Sequence, residues 1–311
     1  MMMAFVAVTD YDWFRKLSSS PRLDEVNFWR PGGQAGFRAL APGEPFLFKL
    51  KAPRNFIVGG AFFAHFTRLP CSLAWDAFGE KNGARTFSEF RAKIQELKRV
   101  SPSLDDYIIG CILLEQPFFF AENDWIPTPA EFKANTVQGR TFDLGEVSGR
   151  RLWDEVTQRL AMPRYSGQSQ ISAVAAPVSR YGEPMTVTPR LGQGSFRVMV
   201  TDAYGRRCAA SGERTLPVLE AAHIKPYSLE GEHRVDNGLL LRSDLHTLYD
   251  RGYLTVTPEY RIEVSRRIRE EFENGRDYYA LHGRRIALPE NEADRPDVTS
   301  LEWHASSVFR R

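Results

Sequence analysis

Apolar and polar positions along residues 1–160 read as mixed α/β. Phe5–Val8 and Phe46–Leu50 read as strands. Asn55–Phe63 is a β-branched and aromatic run whose internal Gly-Gly suggests a bulge or bend. Tyr107–Leu114 is apolar throughout, as a strand covered on both faces would be, and Pro117–Phe120 continues it into an aromatic cluster. Asp10–Leu17, Phe87–Lys98 and Gly149–Leu160 carry helical spacing, with Thr86 placed to cap the second. The pattern then breaks. Residues 162–189 hold Pro163, Pro177, Pro184 and Pro189 among Ser and Gly, which predicts an interdomain linker.

Beyond it the periodicity resumes. Phe196–Tyr204 predicts a short helix, Leu216–Ile224 a strand, Pro226–Asp236 a polar loop around Gly231, and Gly238–Leu241 a short strand. A helix over Asp244–Asp250 follows, capped by Ser243 and stopped at Gly252. A hairpin of Tyr253–Thr257 and Arg261–Ser265, a helix over Arg266–Phe272 and a strand over Arg284–Leu288 complete the expectation. The fold class expected is α+β.

A length of 311 residues favours two domains, and 42% hydrophobic with 26% charged residues is ordinary for a globular chain. A net charge of +2 does not announce a nucleic-acid binder. Residues 190–289 hold 16 basic and 14 acidic side chains, so any DNA-binding charge there must be gathered into one patch. Fifteen of those 16 are Arg, whose planar fork suits phosphate, although a GC-rich coding sequence accounts for the same bias. Three cysteines, none spaced as CxxC, argue for a reducing cytoplasm and against a disulfide framework or a four-cysteine zinc site. The opening MMMAFVAV reads as a first strand, not a signal peptide, and no stretch approaches the roughly 18 apolar residues of a membrane span. A cytoplasmic protein without membrane contact is expected.

Strand, loop, strand, helix is a ββα unit. It brings together His223 at the end of the first strand, Asn237 where the loop meets the second, and His246 on the helix. Asp250, four residues on, shares a helical face with His246, so the two can hold one ion. An acid at a helix C-terminus opposes the dipole, which favours a ligand role over a structural one. His233, His282 and His304 have no such spaced partners and read as structural or surface residues. Cys208 reads as core.

The stretch AAHIKP, followed by VDNGLLLRSDLHTLYDRG, resembles the HNH (ββα-metal) nuclease superfamily, with 14 residues from His223 to Asn237 and 9 from Asn237 to His246. The similarity is strongest to HNH domains of the restriction-endonuclease type, which also carry stretches like Arg190–Arg197 (RLGQGSFR) and Cys208–Gly212 (CAASG). The resemblance implies that His223 deprotonates the attacking water and that Asn237 holds the loop and the His223 ring. It implies that His246 and Asp250 ligate one divalent cation, Mg²⁺ or Mn²⁺ foremost, with Zn²⁺, Ni²⁺ or Co²⁺ left open. Many such sites have a metal ligand immediately before the base; here that residue is Ala222, and Glu220 on the same strand face is the candidate replacement. Arg190, Arg197 and Lys225 flank the site as candidate phosphate contacts.

In the N-terminal half, VNFWR (26–30), PGEPFLFKL and FIVGGAFF resemble the small β-barrels of the PUA-like group, which includes EVE, ASCH and SRA-type domains. Joined to an HNH nuclease, such a domain implies reading of a modified base flipped from the duplex. Trp29 and Trp125 are then the candidate stacking faces, with a place in the core as their plainer alternative. The whole chain is thus expected to comprise a PUA-like domain (1–161), a linker (162–189) and an HNH domain (190–311). It would act as a modification-dependent restriction endonuclease in anti-phage defence, cutting double-stranded DNA near modified cytosine as a homodimer. An HNH nuclease of repair or recombination, and a DNA-binding module with an inactive site, remain as alternatives.

Overall fold

The computed structural model describes residues 2–21, 23–32, 36–101, 105–133, 136–165, 192–226 and 231–311. They fall into two units, Met1–Pro189 and Arg190–Arg311. The first runs β1 (Met3–Thr9), α1 (Tyr11–Ser18), β2 (Glu25–Arg30), β3 (Pro45–Leu50), β4 (Phe56–Pro70), α2 (Cys71–Phe78), α3 (Phe87–Lys98), β5 (Ile108–Phe119), β6 (Ile126–Pro127), β7 (Gly139–Asp143) and α4 (Val147–Leu160). Side chains start the helices as their residue types dictate. Asp10 accepts from the Trp13 amide at 2.8 Å, and Thr86 accepts from the Glu89 amide at 3.2 Å.

The strands form one mixed sheet in the order β2-β5-β4-β3-β1-β7, with β6 on β4 and a parallel β1–β3 pair. Alternation sends Phe5, Ala7, Phe46 and Phe48 to one face and Val6 and Leu47 to the other, and both faces are covered. That is why these strands read as continuous apolar runs. The sheet is strongly curled. Phe28 on β2 and Phe46 on β3 lie three strand steps apart, about 14 Å in a flat sheet. Their ring centroids are 4.9 Å apart, so the sheet closes round them as a barrel wall does. The bend falls at the Gly-Gly of β4, where the pairing with β5 shifts register between Gly60 and Phe62. A Cβ on Gly60 would stand 2.7 Å from the Phe118 ring and 2.9 Å from the Phe46 carbonyl, a spacing no side chain tolerates.

Two acidic side chains meet inside this unit. Glu25 and Glu115 face each other across β2 and β5, both fully buried. Lys81 pairs with Glu25 at 2.9 Å, while neither Glu115 oxygen has a hydrogen-bond partner among the described residues. Burial first, then the charges of Glu25 and Asp24, push the Glu115 pKa from 4.5 up to about 8.

The start of the expected linker is fastened to this first unit. The Tyr165 hydroxyl donates to Asp124 at 2.6 Å and accepts from the Ala121 amide at 2.8 Å. Residues 166–189 lie outside the described residues.

The second unit runs α5 (Gln193–Ala203), β8 (Leu219–His223), β9 (Gly238–Arg242), α6 (Ser243–Asp250), β10 (Leu254–Val256), β11 (Ile262–Val264), α7 (Arg267–Phe272), α8 (Arg276–Tyr279) and α9 (Val298–Ser307). Several details differ from the pattern, the short helix α8 among them. Leu216–Val218 is a 3₁₀ turn ahead of β8, because Pro217 has no N–H to give a ladder. Ser243 lies inside α6; the residue before it, Arg242, occupies the cap position without a side-chain cap bond and grips Asp244 at 2.6 Å. Within Arg284–Leu288 the pairing is a single bridge, Arg285 with Arg261. The terminal helix α9 has no counterpart in the periodicity, since it buries only Leu301 and His304. Its end packs over Gly252, whose φ of +73° closes α6 and where a Cβ would lie 2.1 Å from the Val308 carbonyl. Among the described residues no helix is long and apolar enough to cross a membrane.

Candidate active site

β8 and β9 pair antiparallel with His223 opposite Gly238 and Glu220 opposite Leu241. Both α5 and α6 pack on this ribbon. Gly238 lets α5 approach: a Cβ there would meet Val200 at 2.5 Å. The ring of His223 lies flat on Phe196 of α5, centroids 4.0 Å apart and 12° from parallel. Burial first, then the neighbouring His233 and His246, lower the His223 pKa from 6.5 to about 4, against the opposing pull of Asp250. At neutral pH the imidazole is uncharged, the state a proton acceptor needs.

Asn237 is buried and spends its amide on the loop. Its Oδ1 accepts from the Lys225 amide, and its Nδ2 donates to the carbonyls of Lys225 and Glu232, each at 2.9 Å. The two rims of the loop after His223 are thereby tied to one side chain at the start of β9.

His246 stands between two carboxylates. Its Nε2 is 3.3 Å from Asp250, one helical turn on, and its Nδ1 is 2.6 Å from Glu220 of β8. Burial alone would lower the His246 pKa; the hydrogen bonds to Asp250 and Glu220 outweigh it and raise the pKa. Ala222 is fully buried in the core, so the position next to His223 offers no donor. An imidazole nitrogen and a carboxylate oxygen side by side suit a divalent ion. Glu220 then holds the opposite ring nitrogen, as carboxylates behind metal-bound histidines do. Among the described residues no group of three His, Cys, Asp or Glu side chains converges as a complete ion site. Water and phosphate oxygens would have to supply the remaining positions.

These side chains share an open cleft of about 490 Å³, whose lining includes Arg197, Glu220, His223, His246 and Asp250. Lys225 stands beside it with its ammonium 6.0 Å from the Trp303 ring centre. Arg190 lies outside the described residues. In the first unit, Trp29 donates its indole N–H to the Asn82 carbonyl and meets Phe90 edge-on, and Trp125 donates to the Phe120 carbonyl beside Phe14. The two rings sit in different surroundings, each half-buried.

One residue at the site escaped the sequence pattern. His233, read as structural or surface, has its Nδ1 2.9 Å from the Nε2 of His223. It sits in an irregular polar loop, where no period relates it to the strand residue it meets. His304, also read as structural, is buried and lines the cleft wall.

Residues 208–257 match the family model described as HNH endonuclease. The C-terminal unit carries an HNH endonuclease domain. The chain is therefore a DNA endonuclease, a hydrolase, and HNH nucleases are in general divalent-metal dependent. The match spans the 3₁₀ turn before β8, the ββα unit and β10, the elements that carry His223, Asn237, His246 and Asp250. The N-terminal half is similar to crystal structures of the ASCH protein of Zymomonas mobilis and two of its single-residue mutants. Identities are 11–12% and TM-scores 0.32–0.34, covering 49% of this chain and 94–96% of those chains. No curated protein matches the chain.

Proposed function

We propose that the HNH domain hydrolyses DNA strands with His223 as general base, and that the N-terminal unit directs it to DNA carrying modified cytosine. The observation that carries the first half is the cleft shared by an uncharged His223 and the His246–Asp250 pair, with the loop between them clamped by Asn237.

In this reading His223 takes a proton from a water that attacks the scissile phosphorus. Asn237 keeps the backbone on either side of His223 and its loop in register. His246 and Asp250 would hold one divalent ion, Mg²⁺ or Mn²⁺, with Glu220 fixing the His246 ring from its Nδ1 side. A bound ion supplies positive charge against the charge developing on the phosphate and the leaving oxygen. Arg197, and Lys225 beside the cleft, hold flanking phosphates.

The second half rests on the PUA-like resemblance of the N-terminal strands and on the curled sheet. Trp29 and Trp125 have their indole N–H groups committed to backbone carbonyls. What such a half-buried ring still offers a flipped base is its face. One ββα site cuts one strand, so cleavage of both strands calls for two chains, and a homodimer on DNA is part of the proposal. Defence against phages whose DNA carries modified bases is the role such an enzyme fits.

The test is cleavage of matched duplexes, unmodified or bearing methylated, hydroxymethylated or glucosylated cytosine, with Mg²⁺ or Mn²⁺, by wild type and His223→Ala. Cutting confined to a modified duplex and lost in the variant supports both halves. Equal cutting of all duplexes keeps the nuclease and removes the base-reading role. Absence of cutting with every cation leaves a DNA-binding module.

A further inference from the structure

An imidazole acts as a base only if the nitrogen facing its proton donor carries a lone pair. In a neutral ring the proton must then sit on the other nitrogen, and whatever that nitrogen touches decides where the proton stays. In His223 one nitrogen, Nε2, meets Nδ1 of His233 at 2.9 Å, which leaves Nδ1 as the nitrogen available for that task. The other nitrogen, Nδ1, makes no hydrogen bond among the described residues.

Two imidazole nitrogens in contact admit two proton arrangements. If His223 donates from Nε2, its Nδ1 is left as a lone pair and can take a proton from water. If His233 donates from Nδ1 instead, the proton of His223 moves to its Nδ1 and the base is disabled. We infer that His233 is a positioning residue for the cleavage reaction: its Nδ1 accepts from His223 Nε2 and so holds His223 in the one tautomer that can work as a base. The inference rests on the reading of His223 as that base.

The surroundings are built for the pair. Phe196 covers the face of His223 at 4.0 Å and leaves the ring to pivot only within its own plane. A partner at Nε2 removes that freedom. The two imidazoles stand 5.0 Å apart at 59°, and the same Phe196 ring lies against both, its centroid 5.7 Å from that of His233 and tilted 49° to it. The backbone that presents them is fastened at both ends by one side chain. Asn237 binds the amide and carbonyl of Lys225, two residues past His223, and the carbonyl of Glu232, adjacent to His233. Asn237 thus sets the spacing of the two rings as well as the shape of the loop.

The experiment compares wild type, His223→Ala, His233→Phe and His233→Asn in the full chain, on a duplex that wild type cleaves, with Mn²⁺. Phe fills the space without an acceptor. Asn carries Oδ1 close to where Nδ1 stood, and that oxygen can only accept. Expected is a fall in kcat of about 10- to 100-fold for His233→Phe, the range for loss of a hydrogen bond that orients a functional imidazole. KM should change less than twofold, and most of the rate should return in His233→Asn. Side-chain ¹⁵N spectra of histidine-labelled wild type should show His223 protonated at Nε2.

Wild-type kcat in His233→Phe, or a His223 protonated at Nδ1, overturns the inference. Should His233→Phe fail to fold, His233→Asn and the wild-type spectrum still decide it. If His223→Ala cuts normally, the base assignment itself fails. If His223→Ala is inert while His233→Phe is unimpaired, the base stands and the role of His233 falls.

Discussion

The imidazole of His304 lies flat on the ring of Tyr249, centroids 3.7 Å apart and 12° from parallel, although 55 residues separate them in the chain. Nε2 of His304 donates to the Tyr249 carbonyl at 3.2 Å, and Thr255 donates its hydroxyl to Nδ1 at 2.9 Å. Both ring nitrogens are satisfied in the neutral form. Burial lowers the His304 pKa from 6.5 to about 4, despite the opposing pull of the Tyr249 carbonyl and of Asp250. The folded pKa lies below the unfolded one, so this stability is complete above pH 6.5 and is lost as pH falls through 4. Thermal unfolding between pH 7 and 4 should therefore show a falling midpoint. His304→Gln, which keeps a donor and an acceptor without the titration, should flatten that slope. His223 titrates in the same sense, so part of the slope will persist.

Asn237→Ala removes three side-chain hydrogen bonds that tie the two ends of the loop together. Stability should fall by about 2–3 kcal/mol, the cost of leaving buried backbone groups unpaired. Cleavage should fall further than the stability loss explains, because both His223 and His233 depend on the clamp. Denaturant titration beside steady-state kinetics checks the pair of effects.

Asp250→Ala should abolish saturable Mn²⁺ binding in calorimetry. Glu220→Gln should weaken it by about 10- to 100-fold, as expected for a carboxylate that holds the far nitrogen of a metal-bound imidazole. A loss in Glu220→Gln as complete as in Asp250→Ala would make Glu220 a direct ligand. Chelation of the ion should stop cleavage in wild type.

Glu115→Gln tests the buried carboxyl between β2 and β5. Its folded pKa, about 8, stands above the 4.5 of the unfolded chain. The stability associated with it is complete below pH 4.5 and falls away as pH rises to about 8, by up to about 1.4 kcal/mol per pH unit. The glutamine variant should match wild type at pH 4.5 and be the more stable at pH 8.5. Equal midpoints at both pH values would show that the carboxyl is already ionised in the fold.

Replacing Arg197 or Lys225 by Ala should weaken binding uniformly across DNA sequences and reduce the salt slope by about one for each phosphate no longer neutralised. A change confined to one sequence would assign the residue to base recognition instead. Binding titrations over a range of salt concentrations separate the two.

Much of this protein could be read from local chemistry. The α1 and α3 starts at Asp10 and Thr86 and the one-turn pairing of His246 with Asp250 depend on contacts within four residues, and local spacing encodes them; the strands Phe46–Leu50 and Gly238–Leu241 were legible as short apolar runs. The HNH signature was legible because β8, its loop, β9 and α6 are consecutive in the chain. The rest depended on contacts that no period records. The curl that brings Phe28 against Phe46 comes from strand order, β2 lying three places from β3. The link from Glu220 to Nδ1 of His246 spans 26 residues, and the His223–His233 contact spans an aperiodic loop. The C-terminal helix α9 left little trace in the sequence because its packing needs only two buried positions, Leu301 and His304, one of which is polar until Tyr249 and Thr255 satisfy it. Which nitrogen of each histidine is free to act follows from neighbours distant in sequence, so the residue types came from the chain and their proton states from the fold.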